Sequence, residues 1–90
     1  MPDRKHVYIT GTVQGVGFRA STRRQATEIG VDGWVKNLPD GRVEAVFEGP
    51  SDDVDTMVDW CRDGSRTATV EDLTVDAEQP EGLDGFEIRR

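Results

Sequence analysis

The change of hydrophobic period between residues 6 and 29 constrains this chain more than any other feature. From His6 to Val13 the residues alternate, with Val7, Ile9 and Val13 on one side and His6, Tyr8, Thr10 and Thr12 on the other. That is the period of a half-buried strand. From Phe18 the spacing turns helical: Phe18, Thr22, Ala26 and Ile29 fall on one face, and Gly30 is placed to close the helix. The switch takes place within Gln14-Gly15-Val16-Gly17. Glycines take positive φ at little cost, so consecutive N–H groups in such a turn can converge on one point. A helix starting there adds unpaired N–H groups and the positive end of its dipole, which favour an anion such as phosphate. Arg19, in the first helical turn, brings a permanent charge and a planar fork of donors matched to phosphate oxygens. A Gly-x-Gly turn also occurs where it only reverses the chain, and taken alone this one leaves both readings open.

Gly15 to Ala20 fits the dinucleotide fingerprint G-x-G-x-x-G/A as well. That fingerprint requires a parallel βαβ unit with an acidic residue ending its second strand. This chain has Val35-Lys36-Asn37 at that place, and Leu38-Pro39-Asp40-Gly41 then turns it back antiparallel. Gly33–Asn37 and Arg42–Glu48 therefore read as a hairpin. Gly49-Pro50-Ser51 is expected to stop the sheet, with Ser51 as the N-cap of a second helix and Asp52 and Asp53 in its first turn. The apolar face of that helix is Val54, Met57, Val58 and Cys61, with Gly64 as terminator. After a polar connection over 65–69, Val70, Leu73 and Val75 suggest a strand. A loop over 78–85 then leads to a short closing strand, Phe86–Arg89. The order strand, helix, strand, strand, helix, strand predicts an α+β, ferredoxin-like α/β sandwich (βαββαβ). Its antiparallel sheet carries both helices on one face, and residues 1–90 make one domain.

Composition removes several function classes. Eighteen acidic residues against eleven Lys and Arg give a net charge of −7. Such a chain repels a polyphosphate, and no basic stripe or RNP-type motif offsets this, so nucleic acid is not an expected partner. The start lacks an apolar signal core and no run reaches the length of a membrane span; a cytoplasmic monomer is expected. Cys61 is the only cysteine and His6, near a start read as frayed, the only histidine. Disulfides, a zinc ribbon, most metal sites and every mechanism needing a well-placed imidazole are thereby excluded unless His6 is recruited. Lys5 and Lys36 are the only lysines. Acid-rich, lysine-poor composition points to a protein adapted to molar salt.

Three stretches together resemble the acylphosphatase family: Gly11-Thr12-Val13-Gln14-Gly15-Val16-Gly17-Phe18-Arg19; Gly33-Trp34-Val35-Lys36-Asn37 with Pro39-Asp40-Gly41-Arg42-Val43-Glu44; and Gly82-Leu83-Asp84-Gly85-Phe86-Glu87-Ile88. They span nearly the whole chain in the family's order. The resemblance implies hydrolysis of the mixed anhydride of a carboxylic acid and phosphate, without metal or cofactor. It places Arg19 as the phosphate-binding arginine and the backbone of Gln14, Gly15, Val16, Gly17 and Phe18 as the phosphate cradle. Asn37 falls where the family has the asparagine that holds the attacking water. Without the resemblance Asn37 reads as a turn former beside Leu38-Pro39. The substrate implied is a small acyl phosphate. The alternatives are a phosphate-binding regulatory module without turnover, or one part of a carbamoyl-phosphate-processing assembly. Arg23 and Arg24, one turn into the helix, could extend the positive field but are left outside the site. Phe18 and Trp34 are expected in the core, while Tyr8 could belong to either core or site. Small residues at Ala20-Ser21-Thr22 predict a first helix that packs weakly, and the loop over 64–69 has no assigned role.

Overall fold

The computed structural model describes residues 2–64 and 66–89. The elements run β1 (Pro2–Thr12), α1 (Phe18–Ile29), β2 (Asp32–Asn37), β3 (Val43–Pro50), α2 (Ser51–Asp63), β4 (Thr69–Ala77) and β5 (Phe86–Arg89). The sheet order is β4-β1-β3-β2-β5. The first four strands give the ferredoxin-like arrangement, all antiparallel. The expected all-antiparallel sheet needs one correction: β5 pairs with β2 in parallel, Gly33 facing Phe86 and Val35 facing Ile88. Residues 78–85 carry the chain from the far edge strand β4 around to the free edge of β2, and that route delivers β5 in the parallel sense.

One face of the sheet, with Val7, Ile9, Val35, Val43, Ala45 and Phe47, forms a single core with Phe18 and Ala26 of α1 and Val54, Met57, Val58 and Cys61 of α2. Burying each of these side chains contributes about 1.5–3 kcal/mol for the larger ones. Cys61 is fully buried and its thiol is pushed up to about 12 by desolvation, so it packs as an inert apolar residue. Phe18 stacks on Trp60, ring centroids 5.6 Å apart. The small residues of α1 cost less than their size implies, because fully buried Thr22 donates its hydroxyl to the carbonyl of Phe18 at 2.8 Å. Gly30 closes α1 at φ 94°, its N–H donating to the Ala26 carbonyl.

Three local expectations change. β1 begins at Pro2, with Pro2 facing Pro50 and Lys5 facing Phe47, so residues 2–5 are part of the sheet. β3 runs through Pro50, whose missing N–H is tolerated at the strand's last position. Ser51 is the first residue of α2, not its cap; it makes no cap bond, and its hydroxyl donates to Asp3 Oδ2 at 3.3 Å. Trp34 is buried as expected, on the face away from the helices, covered by Arg89 at 4.8 Å and Lys36 at 5.8 Å from its ring centroid. Tyr8 lies on that same face, stacked on His6. At Gly33 the backbones of β2 and β3 come so close that a β-carbon would run into the carbonyl oxygen of Val46, which only glycine avoids.

Candidate active site

The turn after β1 holds Gly15 and Gly17 at φ 74° each, while among the described residues none other than glycine has positive φ. Positive φ on either side of Val16 bends the backbone into the concave form that turns successive N–H groups inward. Gly17 is the N-cap of α1, has no side chain to cap the helix, and leaves the first-turn N–H groups facing the same hollow. Three side-chain bonds, two from Gln14 and one from Thr67, hold this loop. Gln14 Nε2 donates to the carbonyls of Leu38 at 2.8 Å and Arg42 at 2.9 Å, tying the loop to the β2–β3 turn. On the other side Thr67 Oγ1 donates to the Val16 carbonyl at 2.6 Å. The turn itself is closed by Leu38 N–H to Arg42 carbonyl, 2.8 Å, and Asp40 accepts from the Arg42 backbone and guanidinium. Those two bonds, the backbone one first, hold the Asp40 carboxyl below the usual carboxylate range.

A cleft of about 570 Å³ lies where this loop, the end of β2 and β5 meet, lined by Val13, Gly15, Gly17, Phe18, Arg19, Ala20, Asn37 and Ile88. Arg19 and Asn37, far apart in sequence, thus share one cavity. Arg19 is half-buried, and among the described residues no ion pair or side-chain hydrogen bond engages it. Asn37 ends β2, and its Oδ1 is buried with no hydrogen-bond partner among the described residues. An unpaired buried carbonyl oxygen costs about 1–3 kcal/mol unless a ligand or water meets it.

Of the residues whose backbone is expected to form the cradle, Gly15, Gly17 and Phe18 line the cleft, whereas the side chains of Gln14 and Val16 are engaged elsewhere. The Gln14 side chain is a strut between the two turns, and Val16 packs against the core. Sequence reasoning missed Thr67 and Ile88. Thr67 gives the 64–69 connection a role, and Ile88 reaches the cleft only because β5 lies along β2. Tyr8 is outside the cleft. It donates to Glu44 Oε2 at 3.1 Å, and that bond, first, with burial and the Glu44 charge raises its phenol above the ordinary range. Among the described residues no three His, Cys, Asp or Glu side chains gather as a metal site, and no helix is long and apolar enough to cross a membrane.

A cleft with a guanidinium unpaired among the described residues, between the first strand–helix turn and the end of the second strand of a ferredoxin-like sheet, sets the chain among small α+β proteins of that fold. The acylphosphatase family model matches residues 5–88. An acylphosphatase of Haloquadratum walsbyi is 61% identical over 97% of this chain and 94% of its own length. An acylphosphatase of Trichormus variabilis is 60% identical over 97% of this chain and 86% of its own. Among solved structures, the acylphosphatase from Bacillus subtilis superposes with a TM-score of 0.94 at 36% identity, covering 100% of both chains. The chain belongs to the acylphosphatase family, whose members are hydrolases acting on small acyl phosphates.

Proposed function

We propose that the cleft hydrolyses the carboxyl–phosphate anhydride with Arg19 and the backbone N–H groups of residues 15–19 holding the phosphoryl oxygens and Asn37 holding the water. The observation that carries this reading is the unpartnered Asn37 Oδ1 in the same cavity as the unpaired Arg19 guanidinium. A carbonyl oxygen accepts one proton of a water and aims its lone pair. The water oxygen forms a bond to phosphorus while the bond from phosphorus to the bridging oxygen breaks. The carboxylate leaves with that electron pair, and the water's proton passes to a phosphoryl oxygen of the substrate. Products are a carboxylate and inorganic phosphate. The leaving group is already good and the transition state needs chiefly positioning and charge stabilisation, so no titrating base is required. The Arg19 guanidinium has donors and no acceptor, and serves electrostatically.

Benzoyl phosphate hydrolysis with a chelator present tests this. Wild type is expected to turn over, and Asn37→Ala to lose about a hundredfold in kcat with KM little changed, since misplacing the nucleophile acts on the chemical step. Phosphate binding without turnover in a folded wild type leaves only a binding module.

In the same reading the protein acts as one domain over 1–90, a monomer in the cytoplasm, with no nucleic-acid or membrane partner and no cofactor. Its acid excess is an adaptation to salt. The surface of α2 supports this, with Asp52, Asp55, Asp59 and Asp63 all exposed. In molar salt the Debye length is about 3 Å, so these charges do not reach a dianionic substrate, while Arg19 acts at contact. KM is therefore expected to rise severalfold in dilute buffer at unchanged circular dichroism; a flat KM removes the salt reading.

A further inference from the structure

A second groove leaves the cleft along α1. It holds about 440 Å³ and is lined by Ala20, Arg23, Arg24, Thr27, Glu28 and Ile88. Ala20 and Ile88 line the cleft too, so the two hollows adjoin. Positions 20, 23, 24, 27 and 28 have the spacing of one helix face, and β5 supplies the opposite wall.

Charge is distributed unevenly along this path. The helix α1 carries Arg19, Arg23 and Arg24 against Glu28 alone, whereas α2 carries five aspartates against Arg62. Arg23 and Arg24 are exposed, and among the described residues neither forms an ion pair or side-chain hydrogen bond. In a chain of 18 acids carboxylates are plentiful. Buried Arg4, half-buried Arg42 and exposed Arg62 and Arg89 each pair with one, while exposed Arg66, like Arg23 and Arg24, does not among the described residues. Three arginines without partners among the described residues, along two adjoining hollows, present their charge to whatever fills them. Glu28 sits one turn beyond Arg24, at the far end of the groove, and sets its outer limit.

We propose that Arg23 and Arg24 form an acyl-side subsite that selects acyl phosphates whose acyl group carries a second negative charge; this rests on the reading that Arg19 and Asn37 hold the phosphoryl end. At a rise of about 1.5 Å per residue, Arg23 stands about 6 Å beyond Arg19 along the helix. That offset suits an acyl chain of three or four carbons ending in a carboxylate. The guanidinium fork receives the second carboxylate, and Ala20, lacking a bulky side chain, stands where the two hollows adjoin.

Succinyl phosphate and butyryl phosphate test this, being alike in length and unlike in terminal charge. The quantity read is the ratio of their kcat/KM values, measured at the lowest ionic strength that keeps the fold. Arg23→Ala and Arg24→Ala are each expected to lower the ratio about fivefold, the upper range for an exposed ion pair. The double variant is expected to lower it about twentyfold, chiefly through KM for succinyl phosphate, and added salt shrinks the effect. Arg23→Lys retains most of the preference. An unchanged ratio with turnover intact on both substrates overturns the subsite and leaves the hydrolytic reading standing. A wild type that is folded and turns over neither substrate overturns both.

Discussion

Replacing Arg19 with alanine is expected to lower kcat/KM for benzoyl phosphate by about a thousandfold, the upper range for removing one preorganised donor from a developing phosphoryl charge. The fold has little to lose, since Arg19 is half-buried and pairs with no described residue. The melting temperature of Arg19→Ala is therefore expected to stay within a few degrees of wild type. Arg19→Lys restores a point charge but not the planar fork, and recovery is expected to be about tenfold over alanine. Competitive inhibition by inorganic phosphate is the second readout. It weakens in both variants, because the same oxygens are held in product and substrate, whereas in Asn37→Ala it persists. Turnover of folded Arg19→Ala near the wild-type rate would remove the guanidinium from the mechanism and leave the backbone nest and helix terminus as the anion site.

The residues that carry this prediction were legible in the sequence because their signals are local. A two-residue period meeting a helical one across Gly15-Val16-Gly17 fixes where α1 starts, and both glycines adopt the left-handed conformation that the turn demands. Leu38-Pro39-Asp40-Gly41 likewise turns the chain by bonds among its own neighbours. What brings Arg19 and Asn37 to one cavity is not local. Gln14 reaches residues 24 and 28 positions away, and Thr67 reaches back 51 positions. Nothing in the pattern of either segment specifies its partner. The face that Trp34 takes is not legible for a related reason: β2 is buried on both faces, so an apolar side chain in it does not say which one it takes. Its outward face is roofed by Arg89 and Lys36, whose aliphatic stems and cations cover an indole as an apolar layer does. Ser51 carried the usual cap chemistry, but Pro50 closes β3 directly against α2 and leaves the serine inside the first turn.

The polar face of the sheet was the least legible part, and it bears on the cleft through β5. Arg4 is 5% exposed and Glu48 3%, on neighbouring strands, with Nη1 to Oε2 at 2.7 Å. Arg4 also reaches Glu78 at 2.8 Å and Glu81 at 3.4 Å. Glu48 accepts, besides, the N–H groups of Glu81 at 2.8 Å, Gly82 at 3.2 Å and Leu83 at 3.0 Å. One carboxylate thus fastens the connection between β4 and β5 onto the middle of the sheet. Gly85 is held next to it, its N–H on Asp32 Oδ1 and its carbonyl accepting from Gly33 N–H. Only then does β5 lie along β2 and bring Ile88 to the cleft.

Glu48→Gln is accordingly expected to destabilise the protein by about 3–5 kcal/mol, the range for breaking a buried ion pair from one side. The amide keeps one acceptor oxygen, brings donors toward backbone N–H groups, and leaves Arg4 buried with only the more exposed Glu78 and Glu81. Chemical denaturation monitored by Trp34 and Trp60 fluorescence measures the loss. Arg4→Met/Glu48→Leu separates the two roles of Glu48. If charge pairing were the whole effect, an apolar pair would recover wild-type stability. Because three backbone donors then lack their acceptor, recovery is expected to be partial, with hydrogen exchange at residues 81–83 remaining fast. The same anchor sets the acid limit. Burial raises the Glu48 carboxyl, but the Glu81 N–H, Arg4 and the Leu83 N–H outweigh it and hold it below the ordinary range. Glu78 is lowered likewise, by Arg4 first and then His6. Folded, these groups bind protons less readily than unfolded, so their stabilisation is complete above the unfolded glutamate value of about 4.3 and is lost as pH falls through their lower folded values. Wild-type stability is expected to fall steeply below about pH 4. Glu48→Gln, starting lower, is expected to show a shallower slope there, and equal slopes in the two proteins would mean that Glu48 is not the carboxylate that ties β5 to the sheet.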